Sequence, residues 1–191
     1  MKYDKYHLRK KFITLRKKNY LKGKKFNFNI IFKLIKKNFK NRKIVISGYY
    51  PSNYEVNILS FLEAACNKKF KIALPVIKSS TLMSFKSWTF KQPLYISKFG
   101  ILEPNKKNKD MIPDLILVPL VAFDNQLNRV GYGKGYYDRG LKKIKKIKKN
   151  ALSVGIAHSS QQCKSIPINK YDFKLDYILT ERKIISSNNW V

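Results

Sequence analysis

Acidic residues are scarce in this chain: 11 Asp and Glu stand against 41 Lys and Arg, for a formal net charge of +30 over 191 residues. A carboxylate kept in so basic a chain therefore tends to have a job, whether as ligand, helix cap or ion-pair partner. Cysteine is equally sparse. Cys66 and Cys163 have neither metal-ligand spacing nor a disulfide framework, so reduced thiols are expected. The two histidines, His7 and His158, lack the partners of a Ser or Cys triad, and no zinc cluster is visible. The opening Met-Lys-Tyr-Asp-Lys-Tyr has no apolar core of a secretory signal. The longest apolar run, 115–123, is broken by Pro119 and is too short to span a bilayer. A soluble, cytoplasmic protein without a membrane role is expected. There is no internal repeat.

Core-forming residues are plentiful. Hydrophobic residues make up 44% and aromatics 14% of the chain, which suits one well-packed domain over residues 1–191. The positive charge has two readings. A dense field attracts phosphates, which suggests a basic RNA- or ribosome-associated binding module. However, the lysines run from Lys2 to Lys183 without gathering on one element, amid a general excess of Asn, Ile, Phe and Tyr. Biased composition on a solvated surface is favoured over nucleic-acid binding. Either way, the field draws in anionic ligands.

Leu8, Phe12 and Leu15 recur at helical spacing, which predicts an amphipathic helix over about 4–21. Further helices are predicted over 28–39, over 54–67 (Val56, Leu59, Leu62, Ala65) and from the glycine-rich segment to about Lys149. Strands are predicted over 44–46, 72–77, 115–119, 152–157 and 175–179. Pro75 is a mild objection to a central place for the second of these. Residues 81–90 are read as a small antiparallel excursion, and 105–109 as a polar connector. The order of elements predicts an α/β, Rossmann-like three-layer sandwich with a mainly parallel central sheet.

Chemistry concentrates in 119–139, Pro-Leu-Val-Ala-Phe-Asp-Asn-Gln-Leu-Asn-Arg-Val-Gly-Tyr-Gly-Lys-Gly-Tyr-Tyr-Asp-Arg. Gly131, Gly133 and Gly135 alternate between an apolar strand and a helix. Glycine permits positive φ and close backbone approach. A helix N-terminus adds unpaired N–H groups and the positive end of a dipole. Arg129 and Lys134 supply positive charge, and the whole suits a triphosphate. The spacing matches neither the dinucleotide fingerprint nor the P-loop. Alone, Gly-x-Gly-x-Gly is equally compatible with a hairpin or flexible loop.

With its flanks, Phe123-Asp124 and Tyr136-Tyr137-Asp138-Arg139, this string resembles the signature of the 5-formyltetrahydrofolate cyclo-ligase family. Other segments agree in order: Lys5-x-x-Leu8-Arg9, Tyr50 to Glu55, Gly100-Ile101-x-Glu103-Pro104, Asp172-x-x-x-Asp176 and Thr180-Glu181. The resemblance implies an ATP- and Mg²⁺-dependent enzyme that converts 5-formyltetrahydrofolate, with or without a polyglutamate tail, to 5,10-methenyltetrahydrofolate. It assigns ATP to Lys5, Arg9, Arg129, Gly131, Tyr132, Gly133, Lys134, Gly135, Tyr136 and Tyr137, with Lys134 and Arg129 catalytic. It assigns folate to Tyr50, Glu55 and Tyr137, and Mg²⁺ to Asp138 and Asp172. Plainer readings stand beside these. Lys5 and Arg9 fit a solvated face, Tyr137 a core tyrosine, Glu55 and Asp138 first-turn acids, and Asp172 a turn residue. Asp176 is a weaker metal candidate, and Glu103 has no derivable role. Tyr171 departs from the histidine that family members often carry before the second metal acid. A monomer is expected.

Overall fold

The computed structural model describes residues 4–20, 23–40 and 42–187. Asp4 begins the first helix by accepting the His7 N–H at 2.9 Å, a side-chain cap on an otherwise orphan amide. Helix α1 (Lys5–Tyr20) is followed by α2 (Asn29–Phe39), β1 (Val45–Ser47), α3 (Leu59–Asn67), β2 (Lys71–Ile77) and β3 (Met83–Ser87). The hairpin β4 (Tyr95–Ile96) and β5 (Leu102–Glu103) leads to β6 (Asp110–Met111) and β7 (Leu115–Pro119). A second hairpin, β8 (Ala122–Phe123) and β9 (Arg129–Val130), precedes α4 (Tyr136–Ile147), β10 (Leu152–Ile156), β11 (Tyr177–Leu179) and β12 (Ile184–Ser186).

Eight strands form one sheet in the order β12-β11-β10-β7-β1-β2-β3-β6. The inner five, β11 to β2, are mutually parallel, and β12, β3 and β6 add antiparallel edges. From β1 the chain moves outward through β2, then returns to lay β7 on the other side of β1. That reversal makes the β1/β7 boundary a topological switch point, where open α/β sheets hold ligands beyond the carboxyl ends of their strands.

Strand alternation builds two cores. Ile72, Leu74, Leu115, Leu117 and Val154 face α2 and α3, whereas Ala73, Ile116, Val118 and Ile178 face α4. Helix α2 contributes Ile31, Leu34, Ile35 and Phe39 to the first core. Fully burying each such side chain stabilises by roughly 1.5–3 kcal/mol. The result is the expected three-layer α/β arrangement. Outside these layers, α1 packs Leu8 and Phe12 on Val121, Ala122 and Val130, at the carboxyl end of the sheet. No helix among the described residues is long and apolar enough to cross a membrane.

The structure departs from sequence expectation in several places. The helix expected over 54–67 begins only at Leu59, where the Asn57 side chain accepts the Leu59 N–H at 2.9 Å. Before it, Asn53 and Tyr54 take left-handed conformations, with φ of 47° and 63°, so 48–58 is loop. Residues 81–90 form no separate excursion, because β3 pairs directly with β2. Pro75 is tolerated because the β1 pairing of β2 ends at Ala73, leaving that side of Pro75 without a ladder to interrupt. On α1 the buried position after Phe12 is Arg16, while Leu15 is only partly buried.

Candidate active site

The site begins with a staple. The Asp124 carboxylate accepts the N–H groups of Gln126, Asn128 and Ile166 at 3.0–3.1 Å, closing the β8–β9 hairpin. That hairpin delivers Gly131–Gly135 to the start of α4. Gly133 and Gly135 have φ of +99° and +67°, where a side chain is strained. At Gly133 an added Cβ would lie 3.2 Å from the Arg9 guanidinium carbon, and at Gly135 it would lie 2.8 Å from an Arg139 nitrogen. Arg9 donates from Nε to the Gly131 carbonyl at 2.7 Å. Arg139 donates to the carbonyls of Thr81 and Lys134, both at 2.7 Å. The N–H groups of residues 132–135 find no acceptor among the described residues. Bare amides, a helix N-terminus, the exposed Lys134 and two arginines thus surround one turn. This is anion-binding chemistry.

Behind the loop lies an ion-pair layer. Arg129 is buried and donates to Asp138 Oδ1 at 2.7 Å and to the Phe173 carbonyl at 2.6 Å. Asp138 Oδ1 also accepts the Phe173 N–H at 3.0 Å. Burial pulls the Arg129 guanidinium below its usual range, while Asp138 opposes that shift. Arg129 is therefore a fixed charge, not the mobile one a loop arginine suggests. One residue before Phe173, Asp172 Oδ2 pairs with Lys5 Nζ at 2.5 Å and accepts the Asn169 N–H at 2.7 Å. The two aspartates thus meet through the 172–173 backbone. Each keeps its other oxygen free of protein hydrogen bonds among the described residues. No group of three or more His, Cys, Asp or Glu side chains suited to a metal occurs among those residues. A two-carboxylate donor set fits Mg²⁺, which takes one or two carboxylates and completes its shell with water and phosphate oxygens.

Next to the loop, Glu55 is buried and accepts the Ser52 N–H at 3.0 Å. It lies in the 48–58 loop, so its reading as a first-turn helix acid fails. Burial raises its carboxyl above the ordinary range, with the Ser52 amide, the Arg16 guanidinium and the Tyr132 hydroxyl opposing. Tyr137 packs against the α4 side of the sheet, yet its hydroxyl has no hydrogen-bond partner among the described residues. Burial, then the nearby Glu55 charge, raises that phenol well above its ordinary value. Tyr50 is partly exposed, whereas Tyr49 is buried and donates to the Val56 carbonyl at 2.9 Å.

The structure therefore gathers Arg9, Arg129, Gly131, Tyr132, Gly133, Lys134, Gly135, Tyr136, Tyr137, Asp138, Glu55, Lys5 and Asp172 at one end of the sheet. Lys5 does not stand open toward a ligand, because Asp172 engages it. Other acids have structural roles. Glu103 accepts the Ile77 N–H at 3.2 Å, tying the β4–β5 hairpin to the end of β2. Asp176 accepts both the N–H and O–H of Ser153 and pairs with Lys145 at 3.1 Å, which leaves it no metal role. Both ring nitrogens of His158 are buried without a hydrogen-bond partner among the described residues. Sequence reasoning missed Arg16, because one arginine among 41 basic residues carries no signal. Only its position four residues after Phe12, on the buried stripe, could have marked it. A cleft of about 560 Å³ opens nearby, lined by Lys24, Phe26, Val56, Asn57 and His158 among others, and the glycine loop lies outside it.

A parallel sheet with a switch point, an amide-rich glycine turn and paired carboxylates together define a phosphate-handling α/β enzyme. The family model described as the 5-formyltetrahydrofolate cyclo-ligase family matches residues 1–181. A probable 5-formyltetrahydrofolate cyclo-ligase of Schizosaccharomyces pombe is 33% identical over 145 residues, 69% of this chain and 71% of that protein. The 5-formyltetrahydrofolate cyclo-ligase of Haemophilus influenzae is 30% identical over 140 residues, 70% of this chain and 74% of that protein. The solved structure of Aquifex aeolicus 5,10-methenyltetrahydrofolate synthetase superposes with a TM-score of 0.73 at 27% identity, covering 98% of this chain and 94% of that one. The chain belongs to the 5-formyltetrahydrofolate cyclo-ligase family. It is an enzyme, an ATP-dependent ligase.

Proposed function

We propose that the chain closes the 5,10-methenyl bridge of 5-formyltetrahydrofolate by activating the formyl oxygen with the terminal phosphoryl group of ATP. The formyl oxygen attacks the γ-phosphorus, and the bond to ADP breaks. The neighbouring folate N10 then attacks the activated carbon and loses its proton. The carbon–oxygen bond breaks, so phosphate leaves and the methenyl iminium remains. The observation that carries this reading is the glycine turn, with its amides bare, set between Arg9 and the Arg129–Asp138 pair.

Phosphoryl transfer needs positioning and charge neutralisation more than covalent help. The amides of 132–135 and Lys134 receive the triphosphate, and Arg9 holds the turn open at Gly131. Arg129 acts as a buried charge behind the phosphates and orients Asp138. Glu55 and Tyr137 face the folate; a buried carboxylate and an unpartnered phenol suit the donors and acceptors of a pterin. Tyr50 lies beyond β1, where it can border that ligand. Asp138 and Asp172 are the residues that would hold Mg²⁺, which when bound neutralises phosphate charge. The basic surface suits a polyglutamate tail. We place the enzyme in the cytoplasm as a soluble monomer. No observation in the fold favours the RNA-binding alternative.

The test is direct. Purified protein, supplied with 5-formyltetrahydrofolate and Mg-ATP, is expected to generate the absorbance of the methenyl product, with one ADP per turnover. Omitting ATP or chelating Mg²⁺ is expected to abolish it. Absence of product under saturating Mg-ATP would overturn the reading.

A further inference from the structure

Arg16 is among the largest fully buried side chains of the protein, at 1% exposure. A guanidinium out of water is costly unless its donors are matched. Among the described residues, no carboxylate forms an ion pair with it. Nη1 donates to the Leu120 carbonyl at 3.2 Å, and Nη2 donates to the Asn53 carbonyl at 2.6 Å and to the Tyr132 hydroxyl. The guanidinium carbon also lies 5.4 Å from the centroid of the Tyr132 ring. Nε finds no hydrogen-bond partner among the described residues.

The three acceptors lie on three different walls of the site. Leu120 follows β7 at the switch point. Asn53 sits two residues before Glu55, in the stretch where Asn53 and Tyr54 both have positive φ. Such backbone persists only where its surroundings hold it. Tyr132 belongs to the glycine turn. Arg9 and Arg16 are two turns apart on one face of α1, and they hold consecutive residues, Gly131 and Tyr132. One helix face thus grips the phosphate turn and, through the Arg16 hydrogen bond to Asn53, the loop that carries Glu55, where Tyr20 and Lys17 also meet the Tyr54 ring.

We propose that Arg16 is a positioning residue for the reaction: it fixes the Glu55 loop against the glycine turn, so that folate and phosphoryl donor meet in register. The inference rests on the functional reading above. It separates Arg16 from Arg9, whose bond reaches only the phosphate side. Lysine cannot replace it, because one ammonium lacks the planar fork that spans three acceptors.

The experiment compares Arg16→Lys, Tyr132→Phe and the double variant with wild type, measuring kcat and both Michaelis constants alongside thermal stability. Tyr132→Phe removes one oxygen from a half-exposed ring and keeps the fold. Each single variant is expected to raise the folate KM about tenfold and lower kcat by a similar factor, as loss of register does. The ATP KM is expected to stay within about twofold, because Arg9, Lys134 and the turn amides remain. The double variant is expected to be no worse than the more affected single one, the mark of a shared interaction. Wild-type kinetics in Tyr132→Phe, or additive losses in the double variant, would reduce Arg16 to a structural residue and overturn the inference. A wild-type chain inactive on the folate would instead overturn the functional reading, and with it the inference.

Discussion

The two ends of the sheet treat polar groups differently. At the amino end, Asp114 accepts the Val45 N–H at 2.8 Å and pairs with Lys148 at 2.8 Å, while Asp176 holds Ser153 and Lys145. Both carboxylates spread their bonds over both oxygens. At the carboxyl end, Asp138 and Asp172 each concentrate their bonds on one oxygen. Among the described residues, the buried side-chain atoms without a hydrogen-bond partner include, at that end, Arg16 Nε, the Tyr137 hydroxyl, the His158 ring nitrogens and the Ser160 hydroxyl. Buried polar groups are ordinarily satisfied, so a local deficit signals that something else completes the set. The stable end is saturated, and the working end is left open.

The largest effect that would break this contrast is expected at Asp138. Asp138→Asn should lower kcat by roughly 10²–10³-fold, the range seen when one group that stabilises developing charge is removed. Because Asp138 also partners the buried Arg129, the variant should lose about 1–3 kcal/mol of stability as well, measurable by denaturant titration. Near-normal turnover in the folded variant would remove Asp138 from the metal and leave the open oxygen without meaning.

Gly133→Ala should rank next. Its φ of +99° strains any side chain, and the new methyl would press on Arg9. Strain of about 1–3 kcal/mol at such a position is expected to appear as a rise of roughly tenfold in the ATP KM, with the folate KM little changed. A change in the folate KM alone would assign the turn to the wrong substrate.

Much of this was legible in residue order. Alternating apolar strands and helices identified the layers, because burial on two faces demands continuous apolar runs such as Leu115–Pro119. The Gly131–Asp138 string pointed to a candidate site because of its flanks, Phe123-Asp124 and Tyr136-Tyr137-Asp138; the alternating glycines alone are equally compatible with a hairpin. What stayed hidden was tertiary. Helical spacing through Val56 and Leu59 suggested a helix from residue 54, but Tyr54 is left-handed and the helix starts only at Leu59. Arg16 carried no signal in the sequence, and its partners Leu120, Asn53 and Tyr132 lie far away along the chain. Glu103 showed its purpose only once Ile77 lay beside it.

At the saturated end, Asp176→Asn should lower the melting temperature by about 2–4 °C, as a loss near 1 kcal/mol does at this chain length. Its kcat should stay within about twofold of wild type. A catalytic defect without loss of stability would mean that the open end extends further than the bond pattern indicates.

Glu181 offers the finest distinction, because it lies at the carboxyl end yet is saturated. It pairs with Lys24 at 2.8 Å and accepts the Ser159 N–H and O–H at 2.7 and 2.6 Å. Burial opposes its ionisation, but Lys24 and Ser159 outweigh burial and bring the carboxyl from 4.5 down to about 2. A carboxyl depressed in the folded state adds stability that is fully present above its unfolded value and is lost as pH falls through the folded one. Glu181→Gln should therefore melt a few degrees below wild type at pH 7, and the gap should close between about pH 4.5 and 2. Its kcat at pH 7 should match wild type. A gap that ignores pH would deny the ion pair, and a fall in kcat would show that bond saturation, rather than position on the sheet, fails to separate structural acids from working ones.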